Sequence, residues 1–280
     1  MSKRTVLITG CSEGGIGAAL AVAFHNAGLK VIATARNINK MTNLAALGIE
    51  TMVLDVLSEE SIQDAASKIK KLDILVNNAG AGYNQTTSDL DIAKAKELYD
   101  LNVWSAVRMI QVFLPLLLMS ESSPTIVNQT SVLSVVGVPW QTAYGSSKAA
   151  LASITSGLRY ELAPFNINVI ELKTALIASK FLEKPGVSES ILPEKSIYAP
   201  AKSVLNPTLH YADLSSKGAD PAQYAKEVVG DVLKKNPPKV IWRGEGATQL
   251  WLSTMLPERF INGAISKISH LNEVEKLIKQ

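Results

Sequence analysis

The chain has 280 residues, and its 47% hydrophobic and 19% charged residues provide for one large buried core. A net charge of +3, without a stripe of clustered Lys and Arg, argues against a nucleic-acid-binding protein. Cys11 is the single cysteine, which excludes an internal disulfide and favours a reducing, cytoplasmic compartment.

Short apolar runs rich in β-branched residues predict buried strands at residues 4–9, 30–35, 50–54, 72–76, 125–130, 167–172 and 239–242. Helical patterns lie between them, at residues 18–27, 58–71, 90–119 and 143–162. Because strand and helix alternate, we predict an α/β fold with a doubly wound parallel sheet of about seven strands and helices on both faces. Residues 1–280 contain no repeat or linker, so a single domain is expected.

A glycine-rich loop, Gly10-Cys-Ser-Glu-Gly-Gly-Ile-Gly17, separates the first strand from the first helix. The N-terminus of a helix offers free N–H groups and a positive dipole end, and both suit a pyrophosphate. Glycine omits the Cβ atoms that would block its approach. This context predicts a Rossmann-type dinucleotide site, with contacts from Ile8, Gly10, Ser12, Gly15, Ile16 and Gly17.

The end of the second strand reads Thr34-Ala35-Arg36. NAD-binding folds usually carry an acid at this point for the ribose 2′-hydroxyl, and none is present here. Arg36 can instead bind a 2′-phosphate through bidentate hydrogen bonds from its guanidinium, and Lys40 can add a second positive charge. We therefore predict NADP(H) as the cofactor, with Thr34 nearby.

Polar and small residues follow the next strands, where ligands of open α/β sheets bind. Asp55 and Val56 follow the third strand, Asn78, Ala79 and Gly80 the fourth, and Ser131 the fifth, while Asn102 lies in a long helical region. His25, His210 and His270 do not have the spacing of metal ligands, so we expect no metal site.

Tyr144 and Lys148 stand four residues apart in a predicted helix, so both side chains share one face. An ammonium at about 4 Å favours a phenolate by roughly 4 kcal/mol at an effective dielectric constant of ~20. This energy would lower the pKa of the tyrosine by about three units. Desolvation would offset part of this effect. The pair predicts a tyrosine with a pKa low enough for general acid–base catalysis near neutral pH.

Together these motifs, in this order, resemble the short-chain dehydrogenase/reductase family over residues 4–180, and Ser131 precedes Tyr144 by the thirteen residues that the family shows. Within the family they look closest to fungal reductases similar to 1-acyldihydroxyacetone-phosphate reductase. The resemblance implies that Tyr144 donates or accepts the proton and that Ser131 holds the substrate oxygen. It also implies that Lys148 lowers the tyrosine pKa and binds the nicotinamide ribose, and that Asn102 holds a water in a proton relay.

The resemblance also implies that Asp55 faces the adenine and that residues 78–80 face the adenosine ribose. In the cofactor loop after the sixth strand, Ile177 and Ser179 suit the nicotinamide amide, while Ala175 stands where the family usually has glycine. The expected reaction is NADPH-dependent interconversion of a ketone and a secondary alcohol. The alternative is a non-catalytic NADP(H)-binding regulatory or scaffold protein.

Residues 173–220 form an irregular insert that is expected to cover the substrate. Apolar residues near the catalytic groups predict an apolar pocket and comprise Leu133, Val138, Trp140 and Phe181. The sequence is compatible with two classes of substrate: a lipid intermediate such as 1-acyldihydroxyacetone phosphate, or a ketone of fungal specialised metabolism. Lys173, Lys180 and Lys184 are candidates for binding a substrate phosphate.

Residues 247–270 have an amphipathic pattern broken at Pro257. This segment either packs on its own domain or contacts a membrane, such as the endoplasmic reticulum or a lipid droplet, with Arg259 and Lys267 facing anionic headgroups. The family resemblance further implies a homodimer or homotetramer.

Overall fold

The computed structural model describes residues 3–210, 217–257 and 260–280. Strands β1 (Thr5–Ile8), β2 (Lys30–Ala35), β3 (Glu50–Val53), β4 (Ile74–Asn77), β5 (Thr125–Gln129), β6 (Asn168–Thr174) and β7 (Val240–Arg243) form one sheet. The strand order is β3-β2-β1-β4-β5-β6-β7, and every pairing between these strands is parallel. The predicted doubly wound α/β fold is confirmed, and each strand lies within two residues of its predicted position.

The helices are α1 (Ile16–Asn26), α2 (Thr42–Ala46), α3 (Glu59–Lys68), α4 (Ile92–Tyr99), α5 (Ser105–Leu118), α6 (Thr142–Glu161), α7 (Pro185–Ser188), α8 (Lys202–His210), α9 (Pro221–Val232), α10 (Ala247–Ser253), α11 (Asn262–Ile268) and α12 (Leu271–Ile278). The helical region predicted at 90–119 is α4 and α5 joined by a π-helical turn, Asp100–Trp104. Side chains cap several N-termini; Ser58 accepts from the Ser61 N–H before α3.

Alternate residues of the buried strands enter two apolar layers, one on each face of the sheet. Val6 and Ile8 of β1 pack in the layer that contains α1 and α9, whereas Leu7 between them packs with α3 and α5. This follows from the two-residue period of a strand. Because both faces are covered, ligands of such a sheet bind at the carboxyl ends of the strands, beside the point between β1 and β4 where the strand order reverses.

The stretch Ile92–Leu118 is long and apolar enough to cross a membrane by length and composition. Its side chains Met109, Phe113 and Leu117 are nevertheless buried against the sheet. The apolar character of this stretch is therefore explained by its place in the core.

A smaller apolar cluster lies outside the two main layers. It joins the insert to the C-terminus and consists of Trp140, Leu192, Ala201, Leu205, Leu209 and Val274. The insert predicted as irregular thus contains helices α7 and α8, and α12 packs on α8. We use the name covering segment for residues 175–190, which run from the end of β6 across the carboxyl edge of the sheet.

Candidate active site

The glycine loop is closely packed against the turn that follows β4. A Cβ on Gly17 would lie 2.5 Å from Asn78 Nδ2 and 2.6 Å from the Gly10 carbonyl oxygen, so only glycine fits there. Gly10 adopts a φ of 74°, in the region that favours glycine. The Asn78 Nδ2 group donates to the carbonyl oxygens of Thr9 and Gly10 at 2.7 and 3.2 Å. These contacts fix the two loops of the predicted dinucleotide site together.

The Thr9 hydroxyl strengthens this junction, because its Oγ1 accepts from the backbone N–H groups of Asn78 and Ala79, both at 3.0 Å. The N-cap of α1 is Gly15, which has no capping side chain, and the first turn of α1 contains no acid. The first turn of α1 therefore contributes no competing negative group. Its donors and the cradle around Gly17 fit the phosphates of a dinucleotide.

The predicted adenosine end lies beside this loop. Arg36 is exposed at the end of β2. The carbonyl of Lys40, in the segment that follows β2, accepts from the Glu13 N–H at 2.9 Å and so joins this segment to the glycine loop. Asp55 is half-buried after β3, and its Oδ1 accepts from the Leu57 N–H at 3.0 Å. The structure thus brings Arg36, Lys40 and Asp55 to the carboxyl edge of the sheet.

The four predicted catalytic side chains lie around one cleft. Ser131 follows β5 and forms a hydrogen bond with the Tyr144 hydroxyl, while Lys148, one turn further along α6, donates to the Gln129 carbonyl at 3.0 Å. The Lys148 Nζ lies 5.9 Å from the centre of the Tyr144 ring. Helix α6 therefore presents both side chains to the end of β5, as the four-residue spacing predicts.

The structure does not reproduce the lowered tyrosine pKa expected from the Tyr144–Lys148 spacing. Burial disfavours the phenolate and raises the pKa of Tyr144 to about 12, although the Ser131 hydrogen bond acts in the opposite direction. Burial, and then the charge of Lys184, lower the pKa of Lys148 to about 8. The sequence predicts that desolvation offsets only part of the attraction between the two groups, but in the structure desolvation is the largest influence on the pKa of Tyr144.

Asn102 is buried in the π-helical turn and holds the chain beyond β4. Its Oδ1 accepts from the Ala81 N–H at 2.9 Å, and its Nδ2 donates to the Ala81 carbonyl and to Ser147 Oγ, both at 3.0 Å. A Cβ on Gly80 would lie 3.0 Å from Asn102 Oδ1 and 3.4 Å from Lys148 Nζ. Asn102 and Lys148 therefore converge on the Gly80 backbone.

The covering segment crosses both loops of the predicted cofactor site. The Lys180 N–H donates to the Gly14 carbonyl at 3.0 Å, and the Lys184 Nζ donates to the Gly80 carbonyl at 2.7 Å. Phe181 lies between them, with its ring centre 5.8 Å from that of Tyr144. Ile177 is buried and Ser179 is half-buried at the start of this segment.

The backbone at Ala175, where the family usually has glycine, pairs with β7. The Ala175 N–H donates to the Arg243 carbonyl at 2.8 Å, and the neighbouring Gly244 adopts a φ of 104°. A Cβ on Gly244 would lie only 3.2 Å from the Ala175 backbone. Close packing at this point is thus obtained with a glycine on the adjacent loop.

The predicted substrate residues do not all face the cleft in the same way. Leu133 is half-buried against the first turn of α6, where its carbonyl oxygen lies 3.2 Å from the Cβ position of Gly145, and Val138 is half-buried after it. Trp140 is 6% exposed, packs in the smaller apolar cluster, and donates from Nε1 to the Ser269 carbonyl at 2.9 Å. Its contacts are those of a core residue.

A buried ion pair beside Ser131 was not expected from the sequence. Lys173 and Glu171 of β6 contact each other with 8% and 7% of their side chains exposed. Thr130 Oγ1 donates to Glu171 Oε1 at 3.0 Å, and Lys173 Nζ donates to Ser134 Oγ at 2.8 Å. The signal that could have revealed the pair is two opposite charges at positions i and i+2, at the end of the strand predicted at residues 167–172 and just beyond it.

Cys11 is buried in the glycine loop, where burial raises the pKa of its thiol to about 12. Among the described residues, no three His, Cys, Asp or Glu side chains are grouped in a way that could hold a metal ion. The predicted catalytic residues Ser131, Tyr144, Asn102 and Lys148 supply hydroxyl, amide and ammonium groups.

The fold and this cleft define a dinucleotide-dependent oxidoreductase of the α/β class. The sequence profile of short chain dehydrogenases matches residues 4–187, and the chain belongs to this family. A short-chain dehydrogenase/reductase of Pestalotiopsis microspora is 43% identical over 279 residues, which cover 99% of this chain and 98% of the relative. The NADPH-dependent 1-acyldihydroxyacetone phosphate reductase of Schizosaccharomyces pombe is 34% identical and covers 96% of this chain and 95% of its own.

A solved structure agrees with the fold. A short-chain dehydrogenase from Streptomyces avermitilis superposes with a TM-score of 0.77 at 25% identity, covering 99% of this chain and 98% of its own. A short chain dehydrogenase from Burkholderia cenocepacia in complex with NADP has the same fold, with a TM-score of 0.71 at 22% identity over 94% of this chain and 98% of that one.

Proposed function

We propose that the protein is an NADPH-dependent reductase that interconverts an apolar ketone and a secondary alcohol. The observation that carries this proposal is the convergence of Ser131, Tyr144, Lys148 and Asn102 on one cleft beside the glycine loop. The cofactor, when bound, supplies the hydride. The glycine loop, Arg36 and Lys148 are the groups that would hold it.

The protein's own contribution is to bind the carbonyl oxygen and supply a proton. Tyr144 and Ser131 are adjacent hydroxyl donors, and together they can stabilise an oxygen that gains negative charge. With its pKa raised to about 12, Tyr144 is neutral near pH 7 and therefore carries the proton that reduction requires.

Arg36 supports NADP(H) as the cofactor because it is the exposed cation at the end of β2, where an acid would select NAD(H). The Schizosaccharomyces pombe relative is an NADPH-dependent reductase, which agrees with this choice. Titration of NADPH and NADH against the wild type and Arg36→Ala tests it. We expect the variant to lose affinity for NADPH while its affinity for NADH is unchanged; equal losses contradict the assignment.

The substrate is apolar near the reacting carbon, because Phe181 packs beside Tyr144 and Val187 packs on the chain at Gly82. Of the three lysines considered for a substrate phosphate, Lys173 is paired with Glu171. Lys180 and Lys184 belong to the covering segment, where they contact the two loops assigned to the cofactor. This arrangement favours an uncharged ketone of specialised metabolism over 1-acyldihydroxyacetone phosphate.

The decisive experiment is Tyr144→Phe, assayed with NADPH on a panel that contains both substrate classes. We expect this variant to lose nearly all turnover and to bind NADPH as tightly as the wild type, because only the hydroxyl is removed. Retention of more than about a tenth of the activity would refute the assignment of Tyr144. NADPH binding by the wild type without turnover of any ketone would favour the regulatory or scaffold alternative, which no comparison supports.

We place this reaction in the cytoplasm and expect the family's usual self-association, which sedimentation can measure.

Contact with a membrane stays a prediction. Helices α10 and α11 lie on either side of Pro257, and Trp251 and Phe260 are 42% and 61% exposed. Arg259 lies outside the described residues. Loss of liposome binding in Trp251→Ser/Phe260→Ser, with unchanged folding, would support the contact, and absence of binding by the wild type would refute it.

A further inference from the structure

The ammonium of Lys184 lies within the cleft assigned to the cofactor. Its Nζ donates to the Gly80 carbonyl at 2.7 Å and lies 5.4 Å from the centre of the Phe181 ring. The same ring contacts Tyr144. Although Lys184 belongs to the covering segment, its charge is therefore delivered to the turn that follows β4.

Lys180 brings the same segment to the opposite side of the cleft. Its N–H donates to the Gly14 carbonyl at 3.0 Å. Its alkyl chain lies so close to Gly14 that an added Cβ would be 2.7 Å from the Lys180 Cδ. One short stretch of chain thus bridges the glycine loop and the turn at Gly80.

Three cations face this cleft: Arg36, Lys148 and Lys184. Desolvation, and then the charge of Arg36, lower the pKa of Lys184; desolvation, and then the charge of Lys184, lower the pKa of Lys148. Lys148 and Lys184 donate to backbone carbonyls, and none of the three cations forms an ion pair with an acid in the part of the chain that the structure describes. Like charges held together in this way favour a polyanion between them.

We propose that Lys184 binds the pyrophosphate of the dinucleotide. Arg36 is assigned to the 2′-phosphate and Lys148 to the nicotinamide ribose, and the charge of Lys184 acts on both of these groups. The pyrophosphate is the anion that joins those two ends. The inference rests on the proposed function, and it predicts that Lys184 acts on NADPH and NADH alike because both contain this group.

The test is the dissociation constant of each dinucleotide, measured by protein fluorescence without substrate, for the wild type, Lys184→Gln, Lys184→Arg and Arg36→Ala. Lys195→Gln is the matched control, since Lys195 is an exposed lysine of the same insert. We expect Lys184→Gln to weaken both dinucleotides about tenfold to a hundredfold, as for loss of a charge-assisted hydrogen bond. Lys184→Arg should retain most of the affinity, and Lys195→Gln should match the wild type.

The remaining outcomes overturn the assignment in distinguishable ways. Unchanged affinity in Lys184→Gln means that Lys184 does not bind the cofactor. Loss for NADPH alone means that it binds the 2′-phosphate, and a higher KM for the ketone at unchanged dinucleotide affinity means that it binds the substrate. Failure of the wild type to bind either dinucleotide would overturn both this inference and the proposed function.

Discussion

Removal of the buried Lys173 ammonium should have a large and measurable effect on stability. Lys173 and Glu171 are both at least nine-tenths buried, and they form further hydrogen bonds with Ser134 and Thr130. The Lys173 Nζ also lies 5.5 Å from the centre of the Trp242 ring. Lys173→Met keeps the alkyl chain but leaves the Glu171 carboxylate buried without its cation. Breaking such a pair from one side costs about 3–5 kcal/mol. The melting temperature should fall by roughly 6 °C or more, at about 2 °C or more per kcal/mol for a domain of this size.

The double variant Glu171→Gln/Lys173→Met separates the charge from the packing. It removes both charges and keeps an acceptor for Thr130, so we expect it to recover most of the stability that Lys173→Met loses. Urea unfolding followed by circular dichroism, without cofactor, gives the free energy of unfolding for the four proteins of the cycle. The reasoning is refuted if Lys173→Met costs less than about 1 kcal/mol, or if the double variant loses the sum of the two single losses.

Three further outcomes are expected. Gly17→Ala should abolish dinucleotide binding, because its methyl group would lie 2.5 Å from Asn78 Nδ2. Gly157→Ala is the control and should bind normally, because nothing lies within 4 Å of its new Cβ. Fluorescence titration with the dinucleotide compares the two variants. Because the pKa of Lys148 is lowered to about 8, an anionic dinucleotide should raise it on binding. Calorimetry in buffers of different ionisation enthalpy should then detect proton uptake above about pH 8, and the affinity for the dinucleotide should fall as the pH rises. Absence of proton uptake would contradict the assignment of Lys148 to the cofactor. With its pKa raised to about 12 by burial, Cys11 should react with Ellman's reagent only after unfolding, and rapid reaction in the native state would contradict this.

The sequence predicts those features that depend on neighbouring residues. Apolar runs of four to seven residues identify the strands, and the strand, glycine loop and helix around Gly17 identify the dinucleotide site because each element follows directly from the one before. Tyr144 and Lys148 are predicted to share a face by their helical spacing alone. These inferences require no knowledge of distant contacts.

Contacts between distant segments could not be predicted in this way. Lys184 and Gly80 are 104 residues apart, so no local pattern indicates that they meet. Trp140 is close in sequence to the catalytic groups, yet its ring packs with α8 and α12, which the sequence could not place. The pKa of Tyr144 depends on how much water the covering segment removes, and this is a property of the assembled fold.

The π-helical turn at Asp100–Trp104 makes this part of the protein sensitive to chain length. A π turn contains one more residue than an α turn. Deletion of a single residue would restore an ordinary helix, but it would also rotate α4 against α5 by about 100°. The Asn102 amide would then no longer point at Ala81, although every side chain of the cleft would remain in the sequence. A one-residue deletion here should therefore be as damaging as the loss of Asn102 itself, whereas the same deletion in an exposed loop should be tolerated.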